Sequence, residues 1–207
     1  MELSEPSIFN LFPNPISCHR VNTFNNADQN LVDECMAWRE SSDGMRKSNS
    51  GGWHSENTLF KRDEPNIKNL CNLFVKASNN ALLRFCPSFP LNEYNLLAEG
   101  WVNIGSKLSF NYPHNHPGSN LSGIYYVKVP AKRKDSGLLQ FLDPRGNVRP
   151  YAAGVKELID PLNDNFTIVP EDKMLIIFPS WLHHWVTPNL QEEDRISIAC
   201  NFIYQKR

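Results

Sequence analysis

The hydrophobic pattern of this chain changes period once, near residue 90, and that change limits its fold more than any other feature. Before residue 90 apolar residues recur at helical spacing; beyond it they alternate, as on strands with one buried face. Within 27–39, Leu31, Val32, Cys35 and Met36 form one stripe of an amphipathic helix, and Asn25 and Asn26 are candidate caps. Within 65–86, Pro65 suits a first helical position. Ile67, Leu70, Phe74, Ala77, Ala81 and Phe85 then step by three or four until Pro87 and Pro90 close the segment. The polar stretch 41–54 between the two reads as loop. From residue 94 eight short strand-like runs follow, at 94–104, 107–112, 121–129, 138–142, 166–169, 174–178, 183–186 and 195–204. Gly105-Ser106, Pro117-Gly118, Asp143-Pro144 and Arg145-Gly146 separate several of them. The expectation is a mainly β fold with N-terminal helices: a barrel or jelly-roll-like core of mostly antiparallel strands.

A length of 207 residues suits a single domain, with 1–90 as helical support and 91–207 as the β core. Twenty-one basic against 22 acidic side chains give a net charge of −1, which argues against a general nucleic-acid binder. The Lys132-Arg133-Lys134 run reads as a solvated loop. The longest aliphatic–aromatic run, Met174–Phe178, is far short of the roughly 20 residues of a membrane helix. The opening MELSEPSIFN has neither the basic nor the apolar part of a secretory signal. Five scattered cysteines without a CxxC read as plain buried or half-buried thiols, which fits a reduced, cytoplasmic setting.

Four of the six histidines fall in two places. Pro113-His114-Asn115-His116-Pro117 holds an H-x-H, and residues i and i+2 of an extended chain point the same way. Trp181-Leu182-His183-His184-Trp185 supplies a distal imidazole, His184, with His183 directed to the opposite side. Imidazole is the commonest metal-binding side chain. Either motif alone fits a surface turn equally well. The run 195–202 alternates: Arg195, Ser197, Ala199 and Asn201 share one face, Ile196, Ile198, Cys200 and Phe202 the other. A buried Arg is uncommon unless it meets an anion. The competing reading makes this the solvent face, with Arg195 paired to Glu192 or Glu193.

Several stretches together resemble the 2-oxoglutarate/iron(II)-dependent oxygenases, and more narrowly a small bacterial and phage group without an assigned substrate. They are W-V-N-I at 101–104, P-H-N-H-P-G-S-N-L-S-G-I-Y-Y-V-K-V-P at 113–130, L-Q-F-L-D-P at 139–144, F-P-S-W-L-H-H at 178–184 and R-I-S-I-A-C-N-F at 195–202. L-F-P-N-P at 11–15 and G-G-W-H-S at 51–55 extend the likeness into the N-terminal half. The resemblance implies a double-stranded β-helix, a jelly-roll or cupin-like core. It implies Fe(II) as cofactor and 2-oxoglutarate as cosubstrate, with succinate and CO2 released as a substrate C–H bond is oxidised, usually hydroxylated. Carried onto this chain, His114 and His184 are metal ligands, Arg195 binds the C5 carboxylate of 2-oxoglutarate with Ser197 beside it, and Tyr126 adds a hydroxyl.

His116 departs from the family's H-x-[D/E] pattern. Either it is a third imidazole ligand, or the position is left to water or an anion, as in the superfamily's halogenases. Asp143 could bring a carboxylate from elsewhere, though it also reads as the start of an Asp-Pro turn. Asn201, His54 and Trp101 are substrate-pocket candidates, with the 41–60 loop and the 143–165 insertion as specificity elements. His54 could instead be an exposed loop residue, His19 reads as surface in a polar turn, and Trp101, Trp181 and Trp185 could as well be core. The substrate would be a small molecule or a peptide. Two other classes remain: a cupin-like three-histidine enzyme of the thiol dioxygenase type, and a non-catalytic β-barrel binding protein. Arg195-x-Ser197 discriminates against the first of these, whose chemistry does not require it, and a titration with iron and then 2-oxoglutarate separates all three. Oligomeric state is left open.

Overall fold

The computed structural model describes residues 14–22, 27–130, 133–144 and 165–207. Helix α1 (Ala27–Glu40) and helix α2 (Pro65–Phe85) match the two helical periodicities. Asn25 and Asn26, the candidate caps of α1, lie outside the described residues. The α1 stripe gains a member that spacing did not single out: Trp38 is buried and donates its indole N–H to Glu56 at 3.3 Å. Helix α2 begins at Pro65 without a cap from its own Glu64. Instead the Glu34 carboxylate of α1 accepts the backbone N–H groups of Asn66 and Ile67, at 3.3 and 3.0 Å. An anion there satisfies open donors and suits the positive end of the helix dipole.

The eight strands expected from alternation are all present: β4 (Tyr94–Gly105), β5 (Phe110–His114), β6 (Leu121–Lys128), β7 (Leu139–Leu142), β8 (Asn165–Ile168), β9 (Met174–Pro179), β10 (His184–Val186) and β11 (Arg195–Lys206). β5 begins later than expected, because 107–109 forms a turn in which Leu108 takes a φ of 64°. Three strands were not foreseen: β1 (Ser17–Arg20), β2 (Asn49–Ser50) and β3 (Trp53–His54). The loop assigned to 41–54 is thus corrected, since β2 and β3 pair with β5 and β4. His19 is exposed as expected, but on edge strand β1 rather than in a turn. Among the described residues the strands form two antiparallel sheets, ordered β1-β9-β6-β11-β4-β3 and β2-β5-β10-β7-β8. Eight of them make the two four-stranded faces of a double-stranded β-helix, or jelly roll.

Alternation sorts the side chains of the large sheet. Val102, Ile104, Tyr125, Ile177, Ile196, Ile198, Cys200 and Phe202 face the helices and pack with Leu31, Cys35, Ile67, Leu70 and Phe74. Gly123 makes that contact close: a Cβ there would stand 2.8 Å from Ile177 and 3.0 Å from the Phe74 ring. The opposite face of the sheet looks toward the small sheet. One end of this inter-sheet space is filled by Leu139, Phe141, Ile176, Phe178, Leu182 and Val186. The other end is open and holds the site.

The five cysteines are free. Cys35, Cys71 and Cys200 are buried, but Cys18 and Cys86 are exposed, which corrects the expectation that all five would be covered. Among the described residues no helix is long and apolar enough to cross a membrane.

Candidate metal centre and cavity

The end of β5 and the start of β10 bring two imidazoles together, because His114 and His184 are direct cross-strand partners. His116 lies two residues past β5, and its backbone N–H donates to the Ser180 carbonyl at 2.9 Å, which fixes that turn to the end of β9. Ligand nitrogens of His114, His116 and His184 all lie within 4.8 Å of one another. The ring centroids are 4.4 to 5.2 Å apart. This spread is somewhat wider than the roughly 3–4 Å between nitrogens sharing one ion at about 2.1 Å. Asp143 stands outside this cluster, half-buried just past β7. His183 is exposed, opposite in sense to buried His184, as neighbours on an extended chain must be.

Two of the three imidazoles have their tautomer set. The Nδ1 of His114 lies 2.6 Å from the Tyr112 carbonyl, and that of His184 lies 2.9 Å from the Leu182 carbonyl. A carbonyl only accepts, so each Nδ1 carries the proton and each Nε2 keeps a lone pair. Burial, with the neighbouring imidazoles second, pulls His184 down to about 3 and His116 to about 4. His114 is lowered as well, again mainly by burial. All three are therefore neutral nitrogen donors at neutral pH, a set that suits iron(II).

The cavity is built in rungs across the large sheet. Asn201 is opposite Glu99 and Ser122; Ala199 opposite Trp101 and Ile124; Ser197 opposite Asn103 and Tyr126. Arg195 lies one step deeper, opposite Gly105. It is buried, 6% exposed, with its guanidinium carbon 6.0 Å from the centre of the Tyr126 ring. Among the described residues its guanidinium has no hydrogen bond and no ion pair, and Glu192 pairs instead with Lys107. The solvent-face reading of Arg195 is thereby corrected. Gly137, at φ +62°, leaves room for its stem, since a Cβ there would come within 3.2 Å of Arg195 Cδ.

Ser48, Trp101, His114 and His116 line both the narrow inner chamber and an outer mouth of about 430 Å³. The inner chamber is closed by Tyr126, Arg195, Ser197 and Asn103; the mouth by His54, Asn57, Glu99 and Asn201. His114, His116, His184, Arg195, Ser197, Tyr126, Asn201, His54 and Trp101 each line one of the two or both, whereas most of the 143–165 insertion lies outside the described residues. His54 is buried, not an exposed loop residue, and stacks on Trp101 with centroids 5.3 Å apart. Of the other tryptophans, Trp181 is 49% exposed and walls neither. Sequence reasoning missed Glu99, Asn103 and Asn57. The parity of Trp101 on β4 would have found the first two; nothing periodic marks Asn57.

Three buried side-chain polar atoms among the described residues lack a partner: Tyr126 Oη, Asn103 Oδ1 and Asn57 Oδ1. All three belong to residues lining these chambers. A buried polar atom left unpaired is costly, so such a concentration marks a place built to receive a polar ligand. Burial pushes the Tyr126 hydroxyl up to about 12, so it remains a donor. With the nearby guanidinium it offers what a carboxylate accepts. The residues present therefore fit both iron(II) and a dicarboxylate cosubstrate.

A family model described as "Putative 2OG-Fe(II) oxygenase" matches residues 99–201. A prolyl-4-hydroxylase from Pseudomonas putida is similar in fold, with a TM-score of 0.60 at 15% identity over 94% of each chain. So is a Trichoplax adhaerens prolyl hydroxylase in complex with a hypoxia inducible factor peptide, with a TM-score of 0.64 at 15% identity over 92% of this chain and 84% of that one. HygX from Streptomyces hygroscopicus, with nickel and 2-oxoglutarate bound, gives 0.57 at 12% identity over 91% and 82%. No curated protein matches the chain.

Proposed function

Since the chain belongs to the 2OG-Fe(II) oxygenases, we propose that it hydroxylates a C–H bond of a substrate entering through the outer mouth, with iron held by His114, His116 and His184. The observation that carries this assignment of roles is Arg195: a buried guanidinium without an anionic partner among the described residues, at the inner end of a cavity lined by three neutral imidazoles. When bound, iron and 2-oxoglutarate supply the oxidation itself, with succinate and CO2 as coproducts.

The chain's own residues position and shield. The Tyr112 and Leu182 carbonyls hold the Nδ1 protons, so the Nε2 lone pairs of His114 and His184 are aimed before metal arrives. His116 takes the place the family gives to a carboxylate, which leaves the ligand set uncharged. The dianionic cosubstrate then balances the metal's charge. Arg195 and Tyr126 receive its far carboxylate, with Ser197 adjacent on the same rung as Tyr126. A planar fork matches a carboxylate in a paired, charge-assisted contact. Ile124, Val186 and Ala199 line the inner chamber with apolar surface that excludes water. A three-histidine site that does not use 2-oxoglutarate gives Arg195 nothing to bind.

The test is an oxygen-free titration of the metal-free protein with Fe(II), then with 2-oxoglutarate, followed by admission of oxygen and measurement of succinate. Tight iron binding, a new absorption band on adding 2-oxoglutarate and slow succinate release are expected. Failure of the iron-loaded protein to bind 2-oxoglutarate overturns the assignment.

A further inference from the structure

The mouth of the cavity has a chemistry that the metal and the cosubstrate do not use. Glu99 stands there on the outermost rung, with its carboxylate held by two amides: Asn57 Nδ2 donates to Oε2 and Asn201 Nδ2 to Oε1, each at 3.1 Å. An ionised carboxylate only accepts, so both amides must present their NH2 groups to it. The Ser122 hydroxyl, donating to Asn201 Oδ1 at 2.9 Å, fixes the second amide independently, and Ser180 backs Ser122 at 2.8 Å. The position of Glu99 is therefore built, not incidental. Its charge is not neutralised: among the described residues no cation pairs with it. Lys47, exposed, also lines the mouth but makes no ion pair with Glu99. Once Asn57 has turned its NH2 to Glu99, its Oδ1 is left as one of the unpaired buried acceptors. The mouth thus offers a fixed negative charge beside a second acceptor that needs a donor.

From these contacts we infer that the mouth binds the cationic group, an ammonium or guanidinium, of the molecule to be oxidised, with Glu99 as its counter-charge and Asn57 Oδ1 as a second acceptor. This rests on the oxygenase reading for what happens to the molecule, but not for the binding. Glu99 and Asn103 are four residues apart on β4, about 13 Å along a strand. Arg195 is one rung further in, opposite Gly105, and His116 packs against the intervening Trp101 with ring centroids 5.7 Å apart, so the cation sits on the far side of that imidazole from Arg195 and the bond to be oxidised lies between.

Butylguanidinium and its neutral isostere butylurea provide the test, titrated by ligand-observed NMR. Both are added to the metal-free protein and, without oxygen, to the protein loaded with Fe(II) and 2-oxoglutarate. The cation should bind at least about fivefold more tightly than the urea in both forms, the span expected of a solvent-reached ion pair. Glu99→Gln should erase the preference while iron and 2-oxoglutarate affinities stay at the wild-type level. Equal binding of the two probes, binding of neither, or a preference that survives Glu99→Gln overturns the inference. Loss of iron affinity in Glu99→Gln makes Glu99 a metal ligand and overturns it as well. A cation preference kept by a protein that takes up no 2-oxoglutarate would sink the oxygenase roles and leave the cation site standing.

Discussion

Replacing Arg195 by Ala removes the guanidinium but touches none of the three imidazoles, so it separates cosubstrate from metal. Removing one member of a buried, charge-assisted pair costs about 3–5 kcal/mol, a hundredfold or more in affinity. Arg195→Ala should show that loss for 2-oxoglutarate by calorimetry, with iron affinity within about twofold of wild type. His116 is tested by two variants. If it ligates, His116→Asp keeps iron, because a carboxylate can stand in the same place, while His116→Ala loses much of the affinity. Equal iron affinity in wild type and His116→Ala would remove it from the ligand set. His54 makes a pH prediction. Burial lowers its pKa below the ordinary 6.5, so below that pH the unfolded chain binds more protons than the folded one. Its stabilising contribution is complete above about pH 6.5 and is lost as the pH falls toward the lowered folded value. Urea midpoints of the metal-free protein should therefore fall between about pH 7 and pH 5. The fall should be smaller in His54→Gln; identical slopes would contradict the burial argument.

At the scale of elements, the contact of α2 with β6 is the joint to break. Phe74 has no exposed surface and meets both Gly123 and Phe202. Phe74→Ala should cost about 3–5 kcal/mol in denaturant unfolding, because little can collapse into the space. How much of the fold could be read from sequence depended on whether an element is held by its own pattern or by its neighbours. The strict alternation of 195–202 and the three- and four-residue steps of 65–86 each report a buried face directly. β1 could not be read: Ser17–Arg20 is short and polar, and it is a strand only because β9 lends it hydrogen bonds. β2 and β3, two residues each, are set by their partners in the same way. The site divides likewise. Arg195, Ser197 and Asn201 were legible through parity, and the histidines through motif. Asn57 sits in irregular chain, where only the folded neighbourhood gives it a role.

For the molecule as a whole, ligands that bind only the folded state add stability by mass action. Fe(II) at a hundredfold excess over its dissociation constant should add about 2.7 kcal/mol, and 2-oxoglutarate a further increment once iron is present. The thermal midpoint should rise in two steps. In Arg195→Ala only the iron step should survive; a full second step there would mean that the cosubstrate is held elsewhere.

β4 and β11, twelve residues each, pair along their length with odd positions toward the cavity and even positions toward the helices. A slip of either strand by a single residue would turn its side chains over. On β11 that would thrust Arg195 and Asn201 among Leu70, Phe74 and Trp38 and leave Ile198 and Phe202 facing the imidazoles. Such a chain would lose its core at the same stroke as its chemistry. The helices therefore act as proofreaders of the strand register: a misthreaded copy has no apolar layer to hold it folded, and is removed by instability instead of persisting as an intact but inert enzyme.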